Sequence, residues 1–270
     1  MGYFHVKNRN LIFISTIDYY LCSPSKSNGM KNQYFGDVRD LFKYDLIQHL
    51  ISNIDCLKQL FFVAMLTPDD NSKEGNKVSF NKAKAGYNNT QLVNFLYDAL
   101  VTERKLNKII SYFKSHNIKT ELIEEIFDHN QRKEYFQNIT KGSLDKSIIF
   151  FDPDNGLEVK NNNEKHLLFD ELKMVINNMD DDSVVMIYQH FPRVKRLQYI
   201  ELRKKEIVHN TKTQCTFISD NEIVFFFIAK NNYLLKEIKN NIRQYNKRYP
   251  KLYGEHEAIS VKESQLIMEY

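Results

Sequence analysis

At 270 residues, 42% hydrophobic and 27% charged, the chain has the size and balance of a globular protein that buries a sizeable core. A net charge of +4 is too mild to argue by itself for a nucleic-acid partner, and no apolar run reaches the ~18 residues of a membrane span. Three cysteines (Cys22, Cys56, Cys215) match neither a metal-ligand spacing nor a disulfide framework, so a reducing cytoplasm is the expected compartment.

Residues 1–29 differ in character from the remainder of the chain. A short strand-like run, Leu11 to Ile17, leads into Ser23-Pro24-Ser25-Lys26-Ser27-Asn28-Gly29, whose composition is loop-like. The apolar run is too short and too closely followed by Asp18 for a signal peptide. An N-terminal appendage of 1–29 before a single α/β domain of 30–270 is therefore expected. Residues 35–55 read as a helix, with Leu41, Phe42, Leu46, Leu50 and Ile54 in phase and Asp37 placed to cap it. Asp37, Asp40 and Tyr44 share one face of that helix, with Lys43 beside it.

Leu60-Phe61-Phe62-Val63-Ala64-Met65-Leu66 reads as a buried strand ending in Thr67-Pro68-Asp69-Asp70 and a long polar loop to about Asn89. Thr90 to about His116 reads as one helix capped by Thr90, then a strand (119–127) and a short helix (130–140). Ile148-Ile149-Phe150-Phe151 is a second buried strand, running into Asp152-Pro153-Asp154-Asn155-Gly156-Leu157-Glu158. Proline ends strand pairing there, and Asn-Gly supplies turn chemistry. A helix over 164–177 comes next, then a third buried strand, 183–190, ending in Gln189-His190 before Phe191-Pro192-Arg193. Strands at 213–219 and 223–229 around Asp220-Asn221 form a hairpin, and 232–249 a last helix.

The alternation predicts an α/β, Rossmann-like fold: a mostly parallel sheet, helices on both faces and a late antiparallel hairpin, methyltransferase-like in outline. Ligands bind beyond the carboxyl ends of strands in such sheets. Three of the five prolines (Pro68, Pro153, Pro192) stand at those exits. Polar groups crowd there at a desolvation cost that a bound ligand would offset. The expected site is thus Asp152, Asp154, Asn155, Glu158 and His190, with His190 suited to moving a proton.

Two chemistries suit that set. Oxygen-rich clusters hold magnesium or manganese, so Asp152 and Asp154 could ligate a metal for phosphodiester hydrolysis, with Lys43, Lys165 or Arg193 nearby. The step from Asp154 to Glu158-Val159-Lys160 is too short for the nuclease pattern in which Pro-Asp and Glu-x-Lys occupy separate strands. Alternatively, enzymes that methylate exocyclic amines carry Asp/Asn-Pro-Pro-aromatic at a central strand exit, of which Asp152-Pro153 supplies the first two positions. No Gly-x-Gly comes after the first strand, where such enzymes hold S-adenosylmethionine. A third class is a non-catalytic nucleic-acid-binding or regulatory protein, for which the tyrosines and basic residues along 241–253 would form a surface.

Tyr34-Phe35-Gly36-Asp37 with Asp40 and Lys43-Tyr44, Met65-Leu66-Thr67-Pro68-Asp69-Asp70, Phe151 to Glu158, and Tyr188-Gln189-His190-Phe191-Pro192-Arg193 together resemble a family of uncharacterised bacterial proteins across about residues 30 to 230. More distantly, the Gly-Asp…Asp…Lys segment and the later Asp-Pro resemble the ribosomal RNA adenine methyltransferases. That resemblance implies amino-group methylation on nucleic acid or nucleotides, with S-adenosylmethionine as cofactor. It would place Asp37 and Lys43 near the cofactor and Asp152 near the amine; Asp40, Asp69 and Asp70 complete the expected cofactor-binding set.

Overall fold

The computed structural model describes residues 32, 35–66, 80, 85–161, 163 and 165–255. The expected appendage, Asp69, Asp70 and the last fifteen residues lie outside them. The described residues build one seven-stranded sheet of order β2-β1-β3-β4-β6-β5-β7: β1 Gln59–Val63, β2 Lys119–Ile123, β3 Ser147–Phe151, β4 Val184–His190, β5 Gln214–Ser219, β6 Ile223–Ala229 and β7 Tyr253–Gly254. The first four strands pair in parallel. The reversed strand β6 sits antiparallel between β4 and β5, so β5 again points along β4. The α/β class, the mixed sheet and the late hairpin are as the sequence leads one to expect.

The helices are α1 Val38–Asn53, α2 Thr90–Thr102, α3 Lys108–Ser115, α4 Arg132–Ile139, α5 Phe169–Asn178, α6 Arg196–Thr211 and α7 Asn232–Arg248. Period-two alternation along the central strands explains the two cores. Phe62, Ile148, Phe150, Met186 and Phe225 pack with α1, α2, α3 and α7, whereas Phe61, Ile149, Phe151, Ile187 and Phe226 pack with α4, α5 and α6. Every residue of β1, β3 and β6 is buried, which is why these runs show no polar alternation.

Three expectations change. The single helix over 90–116 is two, α2 and α3, capped at Asn89 rather than Thr90. The break lies where Leu106 N donates to Asn32 Oδ1 (2.9 Å) and Arg104 Nε to the Phe35 carbonyl (2.8 Å). The first takes the place of a helical hydrogen bond at Leu106 N, and the second anchors the Arg104 side chain to a segment remote in sequence. Helix α5 begins five residues later than its periodicity suggests, because the chain ahead of it returns alongside the central motif, bridging Leu157 to Leu167. The tyrosines of 241–253 mostly face inward. Tyr245 and Tyr249 donate to the buried Asp45 carboxylate (2.7 and 3.1 Å), tying α7 to α1, so they offer no stacking surface.

Candidate active site

The site begins with strand parity. Asp152 comes directly after Phe151 and continues the phase of Ile148 and Phe150, so it faces α1. Its amide still donates to the Val63 carbonyl (3.1 Å), prolonging the parallel ladder by one bond before Pro153 ends it. From the other side, α1 starts at this carboxyl edge. Asp37 is its N-cap, with Oδ1 accepting from Arg39 N (2.8 Å) and Asp40 N (3.3 Å). One turn in, Lys43 reaches across: its Nζ lies 2.6 Å from Asp152 Oδ2 and 3.4 Å from Asp40 Oδ1. Asp40 Oδ2 accepts from Gly36 N (2.8 Å). Lys43, Asp40 and Asp152 are all buried.

The first helix and the central Asp-Pro turn, 109 residues apart, thus form a single charged cluster. Tyr188, on the same face of β4, lays its ring 4.7 Å from the Lys43 ammonium, and its hydroxyl bonds His190 Nε2 (3.0 Å). Arg39 stands at the rim, 3.7 Å from Glu222 of the β5–β6 turn.

The charges do not balance. Burial by itself lowers the Lys43 pKa, but Asp152 and Asp40 outweigh it and hold the ammonium far above the ordinary lysine range. Burial also pushes the Asp152 carboxyl up, against the pull of Lys43. At 2.6 Å from an ammonium that does not titrate, Asp152 is the ionised partner. The surplus falls on Asp40, which burial raises to about 7 with Lys43 opposing and Asp37 assisting. One buried cation therefore serves two buried carboxylates, and near neutrality a proton shares Asp40.

A carboxyl raised on folding takes up a proton, so native stability falls as pH climbs from the ordinary carboxylate range to about 7 and is flat above it. Between pH 5.5 and 7.5 the expected contribution is about 1–2 kcal/mol, at about 1.36 kcal/mol per unit. Asp40→Asn should remove that component in urea titrations at the two pH values. The histidines, common to both proteins, cancel in the comparison; an unchanged slope would place no proton on Asp40.

The other expected residues have different partners. Asp154 lies 3.6 Å from Lys165 and Asn155 donates to Asn163 Oδ1 (3.5 Å), both within the loop after β3. Glu158 Oε2 accepts from Phe169 N (2.8 Å) at the start of α5, and its carbonyl accepts from Arg203 (2.8 Å). These contacts order the loop and are not with Asp152. His190 does reach the site, through Tyr188. Among the described residues no group of three His, Cys, Asp or Glu side chains is placed to hold a metal ion.

Sequence reasoning puts Gln189 at a strand exit but gives it no role. Pointing to the face opposite Tyr188, its Oε1 accepts from Leu157 N (2.8 Å), while Nε2 donates to the carbonyls of Asn155 (3.2 Å) and His190 (3.1 Å). A buried amide with three backbone partners fixes the turn that carries Asp152. The roles of Arg39 and Tyr188 were equally hidden. The signal for Tyr188 was its two-residue spacing from His190, which places both on one face.

Comparison with protein-family models, with curated proteins and with solved structures gives no match. The functional reading is therefore carried by geometry.

Proposed function

We propose that the chain is a methyltransferase-like enzyme that modifies an exocyclic amino group on nucleic acid or a nucleotide, with Asp152 receiving the amine. The observation that carries this is the buried Lys43–Asp152 pair at the carboxyl edge of the central strands, where Asp152-Pro153 ends β3. Strand β6, reversed between β4 and β5, supports the methyltransferase-like sheet. Lys43 holds Oδ2; Asp152 Oδ1 accepts no hydrogen bond among the described residues and is available to an incoming N–H. Tyr188, whose ring lies beside Lys43, and His190, bonded to its hydroxyl, would carry the departing proton toward the rim.

The fit to S-adenosylmethionine has two sides. Asp37, at the N-cap of α1, is the carboxylate that would face its cationic sulfonium, whereas Asp40 is engaged by Gly36 N and Lys43. When bound, the cofactor would supply the electrophilic methyl group. The exit of β1 lacks the glycines of the usual cradle, yet Met65 there takes the left-handed backbone (φ 46°) that glycine adopts readily. The metal-hydrolase alternative has less support, because Asp152 Oδ2 is committed to Lys43 and Asp154 pairs with Lys165.

Differential scanning fluorimetry decides between ligands, since binding to the native state raises the melting temperature. S-adenosylmethionine at 100 times its dissociation constant should stabilise by about 2.7 kcal/mol. Asp152→Asn should keep that shift and lose methyl transfer to an amine-bearing acceptor. A shift with magnesium or manganese alone would reject the proposal.

A further inference from the structure

The segment that leaves β4 brings exposed cations and exposed apolar side chains together. Phe191-Pro192-Arg193-Val194-Lys195-Arg196-Leu197 mixes basic and apolar side chains, and from Pro192 to Leu197 every residue is exposed. Val194, on the connection, is 55% exposed, and Leu197, in the first turn of α6, is 36% exposed. Arg193 and Lys195 enter no ion pair with a described residue. Neither the sequence nor the fold explains the pattern by packing: only Phe191 turns inward, its ring 5.9 Å from that of Tyr199.

Its position gives the pattern meaning. The segment begins one residue beyond His190, at the same edge of the sheet as Asp152. It is also joined to the far side of the site. Arg196 donates to the Asn221 carbonyl (3.3 Å), Phe191 N to that of Glu222 (3.3 Å), and Glu222 meets Arg39 of α1. Arg39 keeps its buried Nε without a hydrogen-bond partner. Helix α6 opens here with no side-chain cap and no acidic residue in its first turn, so its positive end adds to the same field. A basic, apolar-studded rim thus borders a buried acidic centre. That centre could not attract an anionic molecule unaided.

We infer that residues 191–197, continued by Arg39, are the docking surface for single-stranded nucleic acid. Arg193, Lys195 and Arg196 take backbone phosphates, and Val194 and Leu197 lie against the bases. A basic surface that tracks the backbone phosphates is how sequence-tolerant proteins hold a single strand; here the aliphatic Val194 and Leu197 take the place of the usual aromatic rings. An unpaired base is also what a buried acceptor such as Asp152 requires, because an amine inside a duplex cannot reach it. The inference rests on the reading of Asp152 as an amine-binding residue, and supplies the substrate class and the surface.

The test is fluorescence anisotropy with a labelled 20-nucleotide single strand of mixed sequence over a series of salt concentrations. The full-length protein should bind with a clear salt dependence. The variant Arg193→Gln/Lys195→Gln/Arg196→Gln should bind at least tenfold more weakly and lose about 2 from the log–log salt slope, at about 0.7 per phosphate contact. Lys58→Gln/Lys146→Gln/Lys212→Gln removes the same charge at the opposite edge, where β1, β3 and β5 begin, and should bind like the wild type. A duplex of the same sequence should bind several-fold more weakly than the single strand. Absent wild-type binding, equal loss in both triple variants, or equal affinity for duplex would each overturn the inference. The enzymatic reading fails separately: the rim variant should retain its melting shift with S-adenosylmethionine, and Asp152→Asn should retain oligonucleotide binding.

Discussion

Lys43→Met is expected to destabilise the protein by about 3–5 kcal/mol at pH 8, the cost of leaving a buried charge without its partner. Methionine keeps the length and apolar stem of lysine, so the loss isolates the ammonium from its packing beneath the Tyr188 ring. Without Lys43, both Asp152 and Asp40 would be buried carboxylates, and their pKa values would rise well above the unfolded range. Each would then take up a proton on folding, so stability should recover as pH is lowered from 8 toward 5. The wild type should gain far less over the same interval. The triple variant Lys43→Met/Asp40→Asn/Asp152→Asn should restore most of the loss at pH 8, because neutral groups of similar shape need no counter-charge. Urea unfolding of the wild type and these variants at both pH values checks all of this. A loss under about 1 kcal/mol for Lys43→Met at pH 8 would mean that water reaches the carboxylates, and the cluster would then be no candidate for an active centre.

Gly156→Ala is expected to be the most damaging methyl group that can be added to the central motif. Gly156 has φ +79°, a left-handed conformation that costs other residues roughly 1–2 kcal/mol. A Cβ there would also fall 2.2 Å from Gln189 Oε1. Gln189 cannot easily give way, since its amide is held by three backbone groups on two segments. Strain of this kind adds about 1–3 kcal/mol, for a total of roughly 2–5. Gln189→Ala would open the space but strand the Leu157 amide, so it too destabilises. In the double variant the clash is gone while the backbone cost persists. A double-mutant cycle should therefore return a favourable coupling of about 0.5–3 kcal/mol. Additive losses would show that the clash is relieved by movement of the turn rather than of the side chain. The Lys43–Asp152 contact would then be the place to look for the displacement.

These two variants probe parts of the molecule that were legible in the sequence to different degrees. The runs around Phe62, Phe150 and Ile187 announced themselves as buried strands because their burial on both faces leaves no polar alternation to confuse the reading. Asp-Pro marked a strand exit because proline cannot donate to the ladder. The capping role of Asp37 was readable from its place before a helical apolar pattern. Period 3.6 can be traced through residues 165–168, yet they are not helical, because Leu167 is held by a bridge to Leu157.

The amino-acid order alone thus determined the α/β class, the late hairpin and the presence of an acidic turn after the central strand, since each depends on residues close together in the chain. Only the tertiary structure decided that Lys43 meets Asp152, that the surplus charge settles on Asp40, and that Gln189 clamps the turn. It also turned Tyr245 and Tyr249 inward to Asp45. Such pairings are set by how α1 and the strands pack across the sheet, and local sequence carries no record of which side chain another element will present.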